Sequence, residues 1–161
     1  MKNKLKWLKW IFAALGVVFV LLQFTSPPRT NPPVAPGHDL MATNPPPPEI
    51  AALLHNACYD CHSDETRWPW YSHIAPVSWL VAGDVKDGRE RMNFSEWPHD
   101  LPARAAKRLE RISEEVGYKD MPPGKYTLLH PDARLTIAQR ETLINWADEA
   151  AARLKTAATN Q

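Results

Sequence analysis

Cysteine is nearly absent from this chain: there are two in 161 residues, Cys58 and Cys61. No spare thiols compete for pairing, and no second C-x-x-C exists to complete a zinc site. Glycine is also scarce, at six residues, and none falls into a P-loop or dinucleotide-binding pattern. No internal repeat is present, strand signals are few, and no carboxylate pair or Ser-His arrangement stands out as a catalytic set. An excess of charge of one sign is missing too. Of 19 basic side chains, four are the lysines at 2, 4, 6 and 9; without them 15 face 18 acidic groups, a net charge of −3. No basic stripe remains, which argues against nucleic acid as a partner.

What is present is Cys58-Tyr59-Asp60-Cys61-His62. C-x-x-C-H is the attachment signature of c-type haem, in which the two thiols add to the haem vinyl groups. A two-residue spacer holds both sulfurs on one side of a helical turn, and His62 can then offer an imidazole nitrogen to the iron. Three other readings of the motif are a structural disulfide, a thioredoxin-like dithiol and half of a zinc site. The dithiol would want a βαβ context that the flanking sequence does not supply. Zinc would need two further ligands; His55 is near, but no H-x3-5-H follows.

The N-terminus bears on the compartment. The four lysines precede an apolar run from Trp10 to Phe24, interrupted only by Gln23. A basic flank before an apolar segment marks a signal sequence or signal anchor, with the lysines kept cytoplasmic. The run itself falls short of the roughly 20 residues that span a bilayer core. Counting from Leu5, with Lys6 and Lys9 snorkelling, makes a span feasible. The run ends Leu-Leu-Gln-Phe-Thr-Ser-Pro-Pro, without an A-x-A cleavage site, so residues 1–25 read as an uncleaved transmembrane anchor, with a cleaved peptide as the alternative. Either way the remainder is exported to the periplasmic side, where c-type haem is attached in bacteria.

Residues 26–48 read as a proline-rich linker. Nine of the 22 residues from Pro27 to Pro48 are proline. Such a stretch favours extended polyproline II and, fully extended, would hold the next domain up to ~60–70 Å from the membrane; a disordered tether is the equal alternative. Residues 49–155 form one domain large enough for a single core, and 156–161 read as a disordered tail. Four helices are expected. Glu49–Ala57 carries Ile50, Leu53, Leu54 and Ala57 at helical spacing and leads into the cysteine motif. Ser78 to about Arg91 places Leu80, Val81 and Val85 on one face, with Asp87-Gly88 loosening its later part. A third helix has Asp100 as its cap and Pro102 in its first turn, and buries Ala105, Leu109, Ile112 and Val116. In the last, Thr136 and Gln139 form a capping box and Leu143, Trp146, Ala147, Ala150 and Leu154 a buried stripe. The fold class is therefore all-α, a cytochrome c-like bundle of about four helices around one haem, whose attachment is expected to be coupled to folding.

The second axial position has six candidates: Met121, Met92, His73, His99, His130 and His55. Met121 leads, in Asp120-Met121-Pro122-Pro123-Gly124, because two prolines stiffen the loop that presents its thioether, a ligand that raises the reduction potential relative to a second histidine. His73 is the runner-up, and His130, before Pro131, is expected to be exposed. Trp68, Trp70, Tyr71, Trp79, Trp97 and Tyr126 are expected mainly to pack and pin loops. Some could line the haem edge, with an N–H or O–H reaching a propionate; Arg67 and Arg89 are candidate charge partners there.

Taken in order, Cys58 to His62, Arg67-Trp68-Pro69-Trp70-Tyr71-Ser72, Ala75-Pro76-Val77-Ser78-Trp79, Asn93-Phe94-Ser95-x-Trp97 and Met121-Pro122-Pro123 resemble the bacterial haem-binding domain family. Members are small, usually membrane-anchored exported proteins related to class I c-type cytochromes. The resemblance covers most of residues 49–150. It implies one haem c on Cys58 and Cys61, with His62 proximal and Met121 distal, but no defined role. The function expected is a membrane-tethered monohaem cytochrome that passes single electrons between redox partner proteins and is not itself an enzyme. The alternative is a haem sensor or small haem enzyme with an open or displaceable distal site.

Overall fold

The computed structural model describes residues 2–98 and 101–159, and the chain is all-helical, with no strand among them. The first helix, α1 (Lys2–Gln23), carries its lysines in the first turns, is apolar beyond them, and is exposed along its length except at its foot, where Leu22 and Gln23 are half-buried. Its segment Lys4–Gln23 is 20 residues, long and apolar enough to cross a membrane.

The proline-rich stretch runs along the surface of the domain and is held at intervals. The Asn31 amide donates to Thr66 O at 3.0 Å and its oxygen accepts from Trp68 Nε1 and Arg89 Nη2. The Arg29 guanidinium donates to Ser72 O, and the Trp97 amide donates to His38 O. A short helix α2 (Leu40–Thr43), capped by the Asp39 carboxylate, then drives Leu40 fully into the core beside Phe94. The polar residues between the prolines, together with Leu40, fasten the stretch to the domain.

The four expected helices are present. They are α3 (Pro48–Ala57), α5 (Val77–Arg91), α6 (Pro102–Gly117) and α8 (Ile137–Thr159), joined by two short helices, α4 (Tyr59–His62) and α7 (Gly124–Leu129), and by 3₁₀ turns at Trp70–His73 and Pro131–Ala133. The centre of the core is the α6–α8 pair. Ala105, Ala106, Leu109, Ile112 and Val116 meet Leu143, Trp146, Ala147, Ala150 and Ala151, with Ile50 and Leu54 of α3 closing one side. The pair is antiparallel: Lys155 bonds Glu110 at one end, and Arg140 donates to Val116 O at the other. Alanines along both helices let the axes approach closely, so burial of the larger Leu, Ile and Trp side chains is dry.

Local signals account for the ends. The capping box at α8 is formed in both directions, Thr136 N to Gln139 Oε1 at 2.8 Å and Gln139 N to Thr136 Oγ1 at 3.2 Å. Pro102 opens α6 in its first turn, while the expected cap Asp100 lies outside the described residues, as does the candidate ligand His99. Two features differ from expectation. α8 continues through Thr159, so residues 156–159 are helical rather than a loose tail. α5 is unbroken at Asp87-Gly88, because Gly88 serves close packing rather than flexibility: a Cβ there would lie 2.4 Å from Cys61 O.

Candidate functional site

The C-x-x-C-H sequence forms a turn of its own between two helices. Cys58 ends α3, accepting its place by donating N–H to Leu54 O, and its carbonyl then receives the N–H groups of Cys61 and His62 at 3.2 and 2.9 Å. Both thiols are unpaired and half-buried. Burial pushes the Cys58 thiol up to about 12, with Cys61 adding to it, and raises Cys61 to about 11, with Asp84 and Asp60 adding. A dithiol enzyme needs the opposite, a thiolate stabilised by positive surroundings. No group of three His, Cys, Asp or Glu side chains able to hold a metal ion gathers among the described residues, so the zinc reading has no support.

His62 is oriented by backbone. Its Nδ1 lies 2.9 Å from Gly88 O and 3.0 Å from Met92 O. Both partners are acceptors, so the proton sits on Nδ1 and Nε2 keeps its lone pair. Burial lowers the imidazole pKa, against the two carbonyls that raise it, and a neutral ring with a free Nε2 is the form that binds a metal. The close approach of α4 to α5 that Gly88 permits is what brings these carbonyls behind the ring.

In front of it, Cys58, His62, Met92, Ile112, Val116 and Met121 wall an open, mostly apolar cavity with about 590 Å³ of empty space. On the other side of the turn a second cavity, with about 720 Å³, is walled by Cys61, Val77, Leu80, Val81, Tyr126 and Leu129, among others. The turn stands between them and presents one sulfur to each.

Met121 is held by the ends of α6 and α8. Its N–H donates to Glu115 O, and Arg140 Nη1 donates both to Met121 O and to Val116 O at 3.0 Å. The buried Pro122 follows. The structure thus brings Cys58, His62 and Met121 to one cavity, and Met92 with them, although the Met92 backbone sits behind the imidazole at Nδ1. His73 is exposed and borders neither cavity. His55 is exposed with its ring centroid 4.1 Å from that of Tyr59. His130, expected at the surface, is half-buried: its Nε2 is 2.6 Å from Tyr71 Oη, it stacks on Tyr126, and it borders the Cys61 cavity.

Asp60, inside the motif, had drawn no notice in the sequence and proves to be a hub. Its nearly buried carboxylate accepts from Arg67 N, Nε and Nη2 and from Tyr126 Oη at 2.7 Å, tying the loop after Met121 back to the turn. Arg67 and Arg89 are accordingly committed to the protein. Arg67 pairs with Asp60; Arg89 pairs with Asp64 and donates to Ser63 O and Thr30 O. The cations that border the His62 cavity are instead Arg91 and Arg111. The indoles of Trp68 and Trp79 donate to Asn31 in the linker and to Thr25 just before it, rather than into either cavity.

The haem-binding domain family matches residues 17–149. The chain belongs to this family. It is a haem protein, and the match takes in the linker as well as the globular part. Over 100 residues the chain is also 26% identical to the cytochrome c peroxidase Ccp of Escherichia coli (strain K12), a match that covers 60% of this chain and 22% of that much longer protein. No solved structure matches. The donor types present fit haem: Cys58, an imidazole whose Nε2 is free and the Met121 thioether border one apolar cavity, and the second unpaired thiol, Cys61, lies three residues on in the same turn and borders the neighbouring cavity.

Proposed function

We propose that this protein is a membrane-tethered monohaem c-type cytochrome that carries single electrons on the periplasmic side of the cytoplasmic membrane. Cys58 and Cys61 would hold the group covalently, and His62, through Nε2, and Met121 would be its proximal and distal ligands. When bound, haem supplies the one-electron ferric/ferrous couple. The chain does the rest. The carbonyls of Gly88 and Met92 fix the imidazole tautomer and orientation, and Arg140 and Glu115 hold the Met121 backbone. Ile112, Val116 and the other apolar walls limit water, and so limit reorganisation as charge changes. The lysines at the start of α1 stay on the cytoplasmic side and the domain lies outside. Redox partner proteins of unknown identity would touch the exposed haem edge.

The single observation that carries this reading is the meeting of an Nδ1-committed His62 and a doubly anchored Met121 at one cavity. If both donors held the iron, no position on it would be left open, which would suit a carrier rather than an enzyme. A peroxidase-like enzyme is the second reading, favoured by the local likeness to a cytochrome c peroxidase. Carbon monoxide separates them. The reduced wild type is expected to resist it, and Met121→Ala to bind it while keeping its haem and losing the weak far-red absorption of methionine-ligated ferric iron. Ready binding by the wild type, or hydrogen peroxide turnover that Met121→Ala leaves unchanged, would favour the enzyme.

A further inference from the structure

Residues 68–83 contain no Asp, Glu, Lys or Arg, yet much of the segment faces outward. Trp70 is 75% exposed, Ile74 and Trp79 are each 38% exposed, and Pro76 is exposed between them. Val77 and Leu80 are exposed too but also wall the Cys61 cavity, so the patch proper is Trp70, Ile74, Pro76 and Trp79. Its position in the fold is fixed by the foot of α1. The Gln23 side chain both accepts from Ala75 N at 2.9 Å and donates to Ala75 O at 3.3 Å. The Ser26 and Ser78 hydroxyls are 3.3 Å apart, and the Trp79 indole donates to Thr25 O. The patch is therefore attached to the residues at which an α1 that crosses the bilayer would leave it.

We propose that this face rests on the outer leaflet of the same membrane that α1 crosses, so that the domain is docked on lipid rather than held away from it. The proposal rests on reading α1 as a span. Its physical content is continuity. Gln23 and Thr25 stand at the interfacial level, and any side chain bonded to them stands there as well. Tryptophan, with an apolar body and one N–H, is suited to that level. Its N–H here bonds the chain as it emerges, while Trp70, Ile74 and Pro76 are exposed in a segment without a charge to desolvate. A soluble partner would have to approach within a few residues of the point of exit, where headgroups already occupy the space.

The test uses the full haem-loaded chain in phosphatidylcholine–phosphatidylglycerol vesicles that contain a phospholipid with a photoactivatable acyl chain. After illumination, peptides carrying lipid are mapped by mass spectrometry. Adducts are expected in α1 and in residues 70–79, and not on the exposed faces of α6 and α8. In the double variant Trp70→Ser, Ile74→Asn, whose side chains are on the surface, the 70–79 adducts should be lost while α1 labelling and haem content hold. Labelled α1 with bare 70–79 overturns the docking and leaves the span intact. Labelled 70–79 with bare α1 supports the docked face and overturns the span. Absence of label from both overturns both, and 70–79 labelling that the double variant leaves unchanged overturns the assignment to these side chains.

Discussion

Between α6 and α8 the contact is made by side chains packed dry; around the turn from Cys58 to His62 it is made by backbone carbonyls and buried charge. On one side Leu109, Ile112, Leu143 and Trp146 interlock along two antiparallel helices. On the other, α4 has four residues, its partner α5 approaches through a glycine, and an Asp60–Arg67–Tyr126 cluster holds the loops. Nonspecific in direction, hydrophobic burial stabilises the first region as a whole. Directed hydrogen bonds position particular atoms in the second: an imidazole nitrogen, two sulfurs and a thioether. One region supplies stability and the other supplies geometry, and the second borders two open cavities.

Substitutions in the two regions should therefore separate stability from haem content. Leu109→Ala removes a fully buried side chain between α6 and α8 and is expected to cost about 3 kcal/mol. Urea unfolding followed by circular dichroism measures it, and the haem retained per folded molecule should not change. Gly88→Ala is the converse. Its methyl group meets the Cys61 backbone rather than a mobile side-chain end, so α5 must move away from the turn, at about 2 kcal/mol. Its larger consequence is on the site, since the carbonyls behind His62 leave with α5. Most of the covalent haem should be lost in cells that load the wild type fully. Equal haem content in both variants would mean that the division is false.

Tyr126→Phe sharpens the same contrast. It takes one donor from the buried Asp60 carboxylate and should cost about 1–2 kcal/mol at neutral pH. It should also change the alkaline limb. Burial, followed by the hydrogen bond to Asp60, raises the Tyr126 hydroxyl above its ordinary value of 10.0, and burial raises Tyr59 as well. Unfolded chains lose these protons first, so stability is complete below pH 10 and declines as the pH rises beyond it. Thermal unfolding between pH 8 and 11 should show a shallower decline for Tyr126→Phe than for the wild type.

How much of this was legible in the sequence follows the same division. Spacing alone marked the buried faces of α6 and α8, and the Thr136–Gln139 box marked where α8 starts, because periodicity and caps are local properties. Cys58, Cys61 and His62 were legible as a motif, and Met121 as a thioether on a stiff loop. The Gly88 contact was not, because a glycine in a helical pattern reads as weakness until the neighbouring backbone is known. Nor was Asp60, whose partners are 7 and 66 residues away in the chain. The contacts of the linker were not legible for a related reason. Proline content describes the conformation of a free chain, whereas Asn31, His38 and Leu40 bond and bury themselves against surfaces assembled from distant segments. His130 was misplaced in the same way, its partner Tyr71 lying 59 residues earlier.

The most direct test of the central claim is the intact mass of the full-length chain, purified from cells that mature c-type cytochromes and measured under denaturing conditions. Covalent attachment of a single group at the turn predicts a mass equal to the polypeptide plus one haem, falling to the polypeptide alone in Cys58→Ser, Cys61→Ser. A wild-type mass equal to the bare chain, with haem released on denaturation, would contradict it.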